Sequence, residues 1–155
     1  MSTRANVIIE SKRDNQKLYF YRHSDGYPEG TMPTLTKFIE WLRAGKIRND
    51  VSQSAGWLII LGAMEYNTIP QFNMEEAISP KSYGNPETFK EPSDWKVGAY
   101  EPTSGIHGDV EYKYSIDLDE MDVTIFERRG LWNKPTWHII PSLNIGGYKH
   151  KTENP

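Results

Sequence analysis

A single α+β domain, with a mostly antiparallel β-sheet and two helices packed on one face, is the fold class this sequence predicts. Three observations carry that prediction. Runs alternating at period two stand towards both ends of the chain, helical spacing is confined to the stretch between them, and 155 residues are enough for one core but too few for two full-sized domains. The domain is expected to span residues 1–141, with 142–155 as a flexible tail carrying Gly146-Gly147 and Lys149-His150-Lys151.

Each element has its own signal. Residues 5–10 and 17–22 are rich in Val, Ile, Tyr and Phe, and the polar segment Lys12-Arg13-Asp14-Asn15-Gln16 between them reads as the turn of a hairpin. After Pro33-Thr34, the residues Leu35, Phe38, Ile39 and Leu42 recur at helical spacing and Gly45 follows as a stop, so an amphipathic helix should cover one sheet face. Asn49 or Asp50 is placed to cap a second helix over about 51–66. This helix is apolar almost all round and is expected to be the buried one, with Gly56 and Gly62 allowing close approach. Four prolines among polar residues make 67–94 an irregular excursion with one helical turn near Met74-Glu75-Glu76-Ala77. Three further strands are predicted at 95–100, 110–116 and 123–128, the last two joined by the acidic turn Asp117-Leu118-Asp119-Glu120. An edge strand at 136–140 ends at Pro141.

Composition narrows the function classes. A net charge of −3 lacks the basic field on which general nucleic-acid binding depends, while leaving room for a local pocket that takes a small anion. Zero cysteines remove disulfides, thiolate catalysis and cysteine zinc sites together. The first six residues lack the apolar stretch of a signal peptide, and the run Trp57-Leu58-Ile59-Ile60-Leu61 is far short of the roughly 20 residues that span a bilayer. A cytoplasmic protein without membrane contact is expected.

The chemistry concentrates in two loops. Arg22-His23-Ser24-Asp25-Gly26-Tyr27 follows one strand and Ile106-His107-Gly108-Asp109 precedes another, each with His two residues before Asp and a Gly beside the pair. Should the two strand ends be neighbours, two imidazoles and two carboxylates converge. Each Asp then either satisfies the N–H groups of its own turn, binds a polar ligand together with its His, or joins it in ligating a divalent ion; neither spacing matches a common metal pattern, so no cofactor is expected. Arg4 and Arg22 stand at the adjoining ends of the predicted hairpin. A pair of guanidinium groups there needs either acidic partners such as Asp25 or Glu29, or a bound anion. Tyr19, Tyr21, Tyr27, Tyr100, Tyr112 and Tyr114 fall near the same end, where tyrosines either pack or offer faces to a base.

Ser2-Thr3-Arg4 before the first strand, and Tyr21-Arg22-His23-Ser24-Asp25-Gly26-Tyr27-Pro28-Glu29-Gly30 before the first helix, resemble a family of small uncharacterised bacteriophage and prophage proteins. Glu111-Tyr112-Lys113-Tyr114 is similar to a Glu-Tyr-x-Tyr strand in that family, whereas Ser24 stands where the family usually has Trp. The resemblance covers about the first 45 residues well and 95–117 loosely, and it implies a viral accessory origin with no established activity. Residues and resemblance together lead to an expected site built from Arg4, Arg22, His23, Asp25, Tyr27, His107 and Asp109. It would bind a small anionic, nucleotide-like ligand in an accessory or counter-defence role. Two other functions compete with this one: a phosphodiesterase or hydrolase with His as general acid or base, and an inhibitor that meets a host protein through the acidic turn and exposed aromatics. Neither a P-loop nor a Ser-His-Asp order is present.

Overall fold

The computed structural model describes residues 2–67 and 98–140. Nearly all of the expected excursion at 67–94, and the tail 142–155, lie outside the described residues. Among the described residues six strands form one sheet in the order β3-β2-β1-β4-β5-β6, with β1 at Ala5–Ser11, β2 at Gln16–Arg22, β3 at Glu101–Thr103, β4 at Tyr112–Asp117, β5 at Asp122–Leu131 and β6 at Lys134–Ile139. Every neighbouring pair is antiparallel except β1 with β4, which run parallel from Ala5 opposite Tyr112 to Glu10 opposite Asp117. The sheet with its two helices makes a single α+β domain.

The hairpin of β1 and β2 follows from its turn. Asn15 takes a positive φ of 52°, which asparagine tolerates better than most residues, and its N–H bonds the Lys12 carbonyl at 3.2 Å. Period-two alternation then sends Ala5, Val7 and Ile9 of β1, Phe20 of β2, Tyr114 and Ile116 of β4, and Val123 and Ile125 of β5 to one face. There they form a continuous buried cluster with the helices.

Helix α1, Pro28–Arg43, begins two turns before the periodic residues that announced it. Pro28 sits at the start, where a missing N–H costs nothing, and Pro33 forfeits one hydrogen bond inside the helix. Tertiary ties hold this early part in place. Thr31 Oγ1 donates to the Asp25 carbonyl at 2.9 Å, and Met32 and Leu35 are fully buried at about 1.5–3 kcal/mol each. The C-terminus matches its signal, with Gly45 at φ 71° and the Lys46 N–H reaching back to the Trp41 carbonyl at 2.9 Å.

Helix α2, Val51–Asn67, is capped by Asp50, whose Oδ1 accepts the Gln53 N–H at 2.8 Å. The expectation that it is buried all round is corrected. Val51, Ala55, Leu58, Leu61 and Met64 face the core, but Ser52, Gln53, Gly56 and Ile59 are exposed, because the sheet and α1 cover only one side of it. Gly62 does allow a close approach, since a Cβ there would stand 2.7 Å from the Tyr100 ring, whereas at Gly56 nothing described lies within 4 Å. Of the strand predicted at 95–100, residues 95–97 lie outside the described residues, and 98–100 are not in a strand. Gly98, Ala99 and Tyr100 pack irregularly against α2, the Ala99 N–H donating to the Gly62 carbonyl, and among the described residues pairing with β2 begins at Glu101.

Candidate functional site on the open face of the sheet

Both described helices cover the same side of the sheet, so its other side carries the residues of opposite parity. Glu101, Tyr21, Asn6, Lys113, Phe126 and Ile139 lie opposite one another on successive strands, one transverse row from β3 to β6. The next row holds Thr103, Tyr19, Ile8, Ser115 and Thr124. This face, open with respect to the two described helices, is buried at its centre, at Asn6, Ile8 and Thr124, and polar-aromatic around it.

One end of the row is built on Tyr21. The His107 ring stacks on its phenol, with centroids 4.3 Å apart and planes at 15°, and its hydroxyl shares a hydrogen bond with His23 Nδ1 at 3.0 Å. Asn6, fully buried, ties the His107 loop to β2. Its Oδ1 accepts the His107 N–H at 2.8 Å while its Nδ2 donates to the Phe20 carbonyl at 2.9 Å. Thr103 Oγ1 meets His107 Nε2 at 2.7 Å and holds the ring in plane. Burial first, and the Asp109 carboxylate second, push the Tyr21 phenol up, so it remains a neutral hydroxyl between two imidazoles.

The other half of the row is built on Lys113. Its Nζ lies 4.8 Å from the Phe126 ring centre and 4.7 Å from that of Trp137. The lysine is half-buried and, among the described residues, makes no ion pair. Burial first, then the neighbouring Lys17, lower its pKa.

The expected site residues divide between the two faces. His23 and His107 are brought together as the strand-end argument required, and Arg4 joins them on the open side, paired with Asp109 at 3.3 Å. Arg22 does not. It stands opposite Ala5, one residue out of phase with Arg4, and points into the helix side, so the pairing of Arg4 with Arg22 across the hairpin is corrected. There it is 1% exposed and clamped by Glu65 at 2.6 and 3.1 Å, with further bonds to the carbonyls of Ser24 and Gly30 and the Tyr100 ring 5.2 Å away. Asp25 and Tyr27 belong to the start of α1. Asp25, at φ 55°, accepts the Tyr27 hydroxyl at 3.3 Å, a contact that raises the phenol pKa mainly through the Asp25 charge. Gly26 is wedged beneath them, its carbonyl accepting the Tyr114 hydroxyl at 2.6 Å.

The tyrosines also separate, Tyr19 and Tyr21 to the open face, Tyr100 and Tyr114 to the core. Sequence reasoning missed Lys113, although the alternation Tyr112-Lys113-Tyr114 carried the signal: with Tyr114 in the core, the lysine between must face the other way. Among the described residues no group of three or more His, Asp or Glu side chains could hold a metal ion, and no helix is long and apolar enough to cross a membrane. No protein-family model, no curated protein and no solved structure matches this chain.

Proposed function

We propose that the open face of the sheet binds a small anionic aromatic ligand, nucleotide-like in chemistry, in a phage or prophage accessory role in which sequestering such a molecule serves counter-defence. The carrying observation is Lys113. An ammonium group that is partly desolvated, faces two aromatic rings and has another lysine for a neighbour is held at a cost that an incoming phosphate would offset. The half-buried rings of Phe126, Trp137, Tyr21 and His107 supply stacking partners for a base on either side of it, and His23 adds a donor at the rim. Arg22, committed to Glu65, has no part in this reading.

Native mass spectrometry of freshly purified protein, followed by titration with a pool of nucleotides and cyclic nucleotides, tests the proposal. One nucleotide should be retained or bound by the wild type and lost in Lys113→Met, with His107→Ala weakened. If no member of the pool binds, or binding is unaffected in Lys113→Met, the reading fails.

A second reading, a phosphodiesterase or hydrolase, draws support from one feature, the exposed His23 imidazole hydrogen-bonded to the Tyr21 hydroxyl, a pair suited to general acid-base chemistry. Chromatography of the same pool after incubation separates the two. Recovery of the bound species intact supports a binder, and turnover that requires His23 or His107 supports the enzyme.

A further inference from the structure

We propose that the tip of the β5–β6 hairpin and the cleft beside it form a docking surface for a partner protein that presents an arginine or lysine flanked by apolar side chains. Leu131 is 68% exposed and Trp132 is 65% exposed at this tip, side by side. An indole so placed is unusual unless something covers it, since tryptophan is the residue most enriched among interface anchors.

The tip is rigidly prepared. Gly130 has φ 85°, and a Cβ there would stand 2.9 Å from the Lys134 carbonyl, so only glycine lets the hairpin close in this shape. Arg128 then fixes the indole from beneath: its guanidinium lies 3.7 Å from the Trp132 ring centre, one nitrogen donates to the Trp132 carbonyl at 2.6 Å and another to the Gly108 carbonyl at 3.0 Å. Ordering the side chain before a partner arrives lowers the entropy lost on association.

The chemistry of the cleft selects the partner. About 310 Å³ in volume, it is lined by Glu111, Tyr112, Glu127, Arg128, Gly130 and Trp132. Arg128 occupies one end of the cleft, its guanidinium on the Trp132 ring and its donors on carbonyls; the other end presents the Tyr112 ring with the carboxylates of Glu127, shared with Arg129 at 3.1 Å, and of the exposed Glu111. The electrostatics agree. Burial pushes the Tyr112 phenol up, and Glu127, Glu111 and Glu29 each push it further. At the Tyr112 end a cation satisfies both kinds of wall at once, by ion pairing with Glu111 and Glu127 and by stacking on the phenol ring, whereas a purely apolar side chain would desolvate the carboxylates with nothing in return. Leu131 and Trp132 supply the apolar ground around that cation. Tyr112 and Glu127 lie opposite each other on the helix side of the sheet, away from Lys113, while Arg128 stands opposite Trp137 on the β5–β6 pair.

The test is a titration of the ¹⁵N-labelled full chain with N-acetyl-arginine methylamide, with N-acetyl-glutamate methylamide as the control, followed by NMR. Saturable shifts of the Trp132 indole and of the amides of Glu111, Tyr112 and Glu127 are expected with the arginine probe alone. They should weaken at least about fivefold in Glu111→Gln/Glu127→Gln and disappear in Trp132→Ala, while the chain stays folded by its remaining spectrum. Equal shifts with the glutamate probe, or shifts that persist in the double glutamine variant, overturn the proposal. So does sedimentation showing that the wild type is a dimer which Trp132→Ala dissociates, since the occupant is then a second copy of this chain.

Discussion

A guanidinium that is 1% exposed and gripped by one carboxylate cannot be exchanged for another cation without loss. Arg22 joins β2, both helices and the Tyr100 ring, and removing it leaves Glu65, among the described residues, with the Thr34 hydroxyl at 2.6 Å. Arg22→Met should therefore lower stability by about 3 kcal/mol or more in chemical denaturation, and Arg22→Lys should recover only part of that. His23 stands in contrast, since it is exposed and its one described bond is to a phenol. His23→Ala should shift the unfolding free energy by less than about 0.5 kcal/mol. His107→Ala, which removes a stack and a bond to Thr103, should cost about 1 kcal/mol by the same measurement. Neither histidine showed its partner in the sequence, because Tyr21, Thr103 and Asn6 reach the two loops only through strand pairing.

Among the elements, the acidic turn after β4 carries a pH signature. Asp119 lies against the β1–β2 turn, accepting the N–H groups of Lys12 at 3.0 Å and Arg13 at 3.2 Å and the Ser11 hydroxyl at 3.1 Å. Desolvation is the largest single influence on it and pushes it up, but these hydrogen bonds and the Arg13 charge together outweigh that, leaving its carboxyl below the ordinary 3.8. A folded-state value under the unfolded one means stabilisation present above pH 3.8 and lost as the pH falls through the lower value. Asp119→Asn should thus be less stable than wild type at pH 6 and converge with it in acid, measured as Tm against pH. Asp117 likewise accepts the N–H groups of Asp119 and Glu120, so the turn is occupied in holding the fold together, and an inhibitor would have to use the exposed aromatics instead. At the start of α1, a Cβ on Gly26 would meet the Thr3 carbonyl at 2.8 Å and Ala5 Cβ at 2.9 Å. Gly26→Ala should cost about 1–3 kcal/mol in the same denaturation assay.

For the molecule as a whole, the open face sets stability against binding. Lys113 has its pKa lowered in the folded state, so its charged form opposes folding at neutral pH, and Lys113→Met should match or exceed the wild-type Tm even as it loses the proposed ligand. A lysine kept only for structure would behave in the opposite way. Protection should follow the sheet order: amide exchange slowest in the central strands β1 and β4, and fastest in β3 and β6, the outermost of the described strands.

The existence of the hairpin, the Asp50 cap, the Gly45 stop and the strands after residue 110 was legible from the chain itself, because periodicity and turn chemistry act over a few residues. Pairing decided the rest. Alternation showed that Arg4 and Arg22 belong to two strands of one hairpin, but the register that sets Arg22 opposite Ala5 sent them to different faces, and Glu65, 43 residues further on, became the partner of Arg22. Similarly, Pro33 reads locally as a helix boundary, yet burial of Met32 and Leu35 carries α1 through it. The row that joins Tyr21 to Lys113 passes through β1 and its parallel pairing with β4, strands separated by about a hundred residues, and no local pattern specifies that pairing. Local sequence determines which backbone shape is cheap, whereas the company a side chain keeps is chosen by the collective burial of the sheet against its helices.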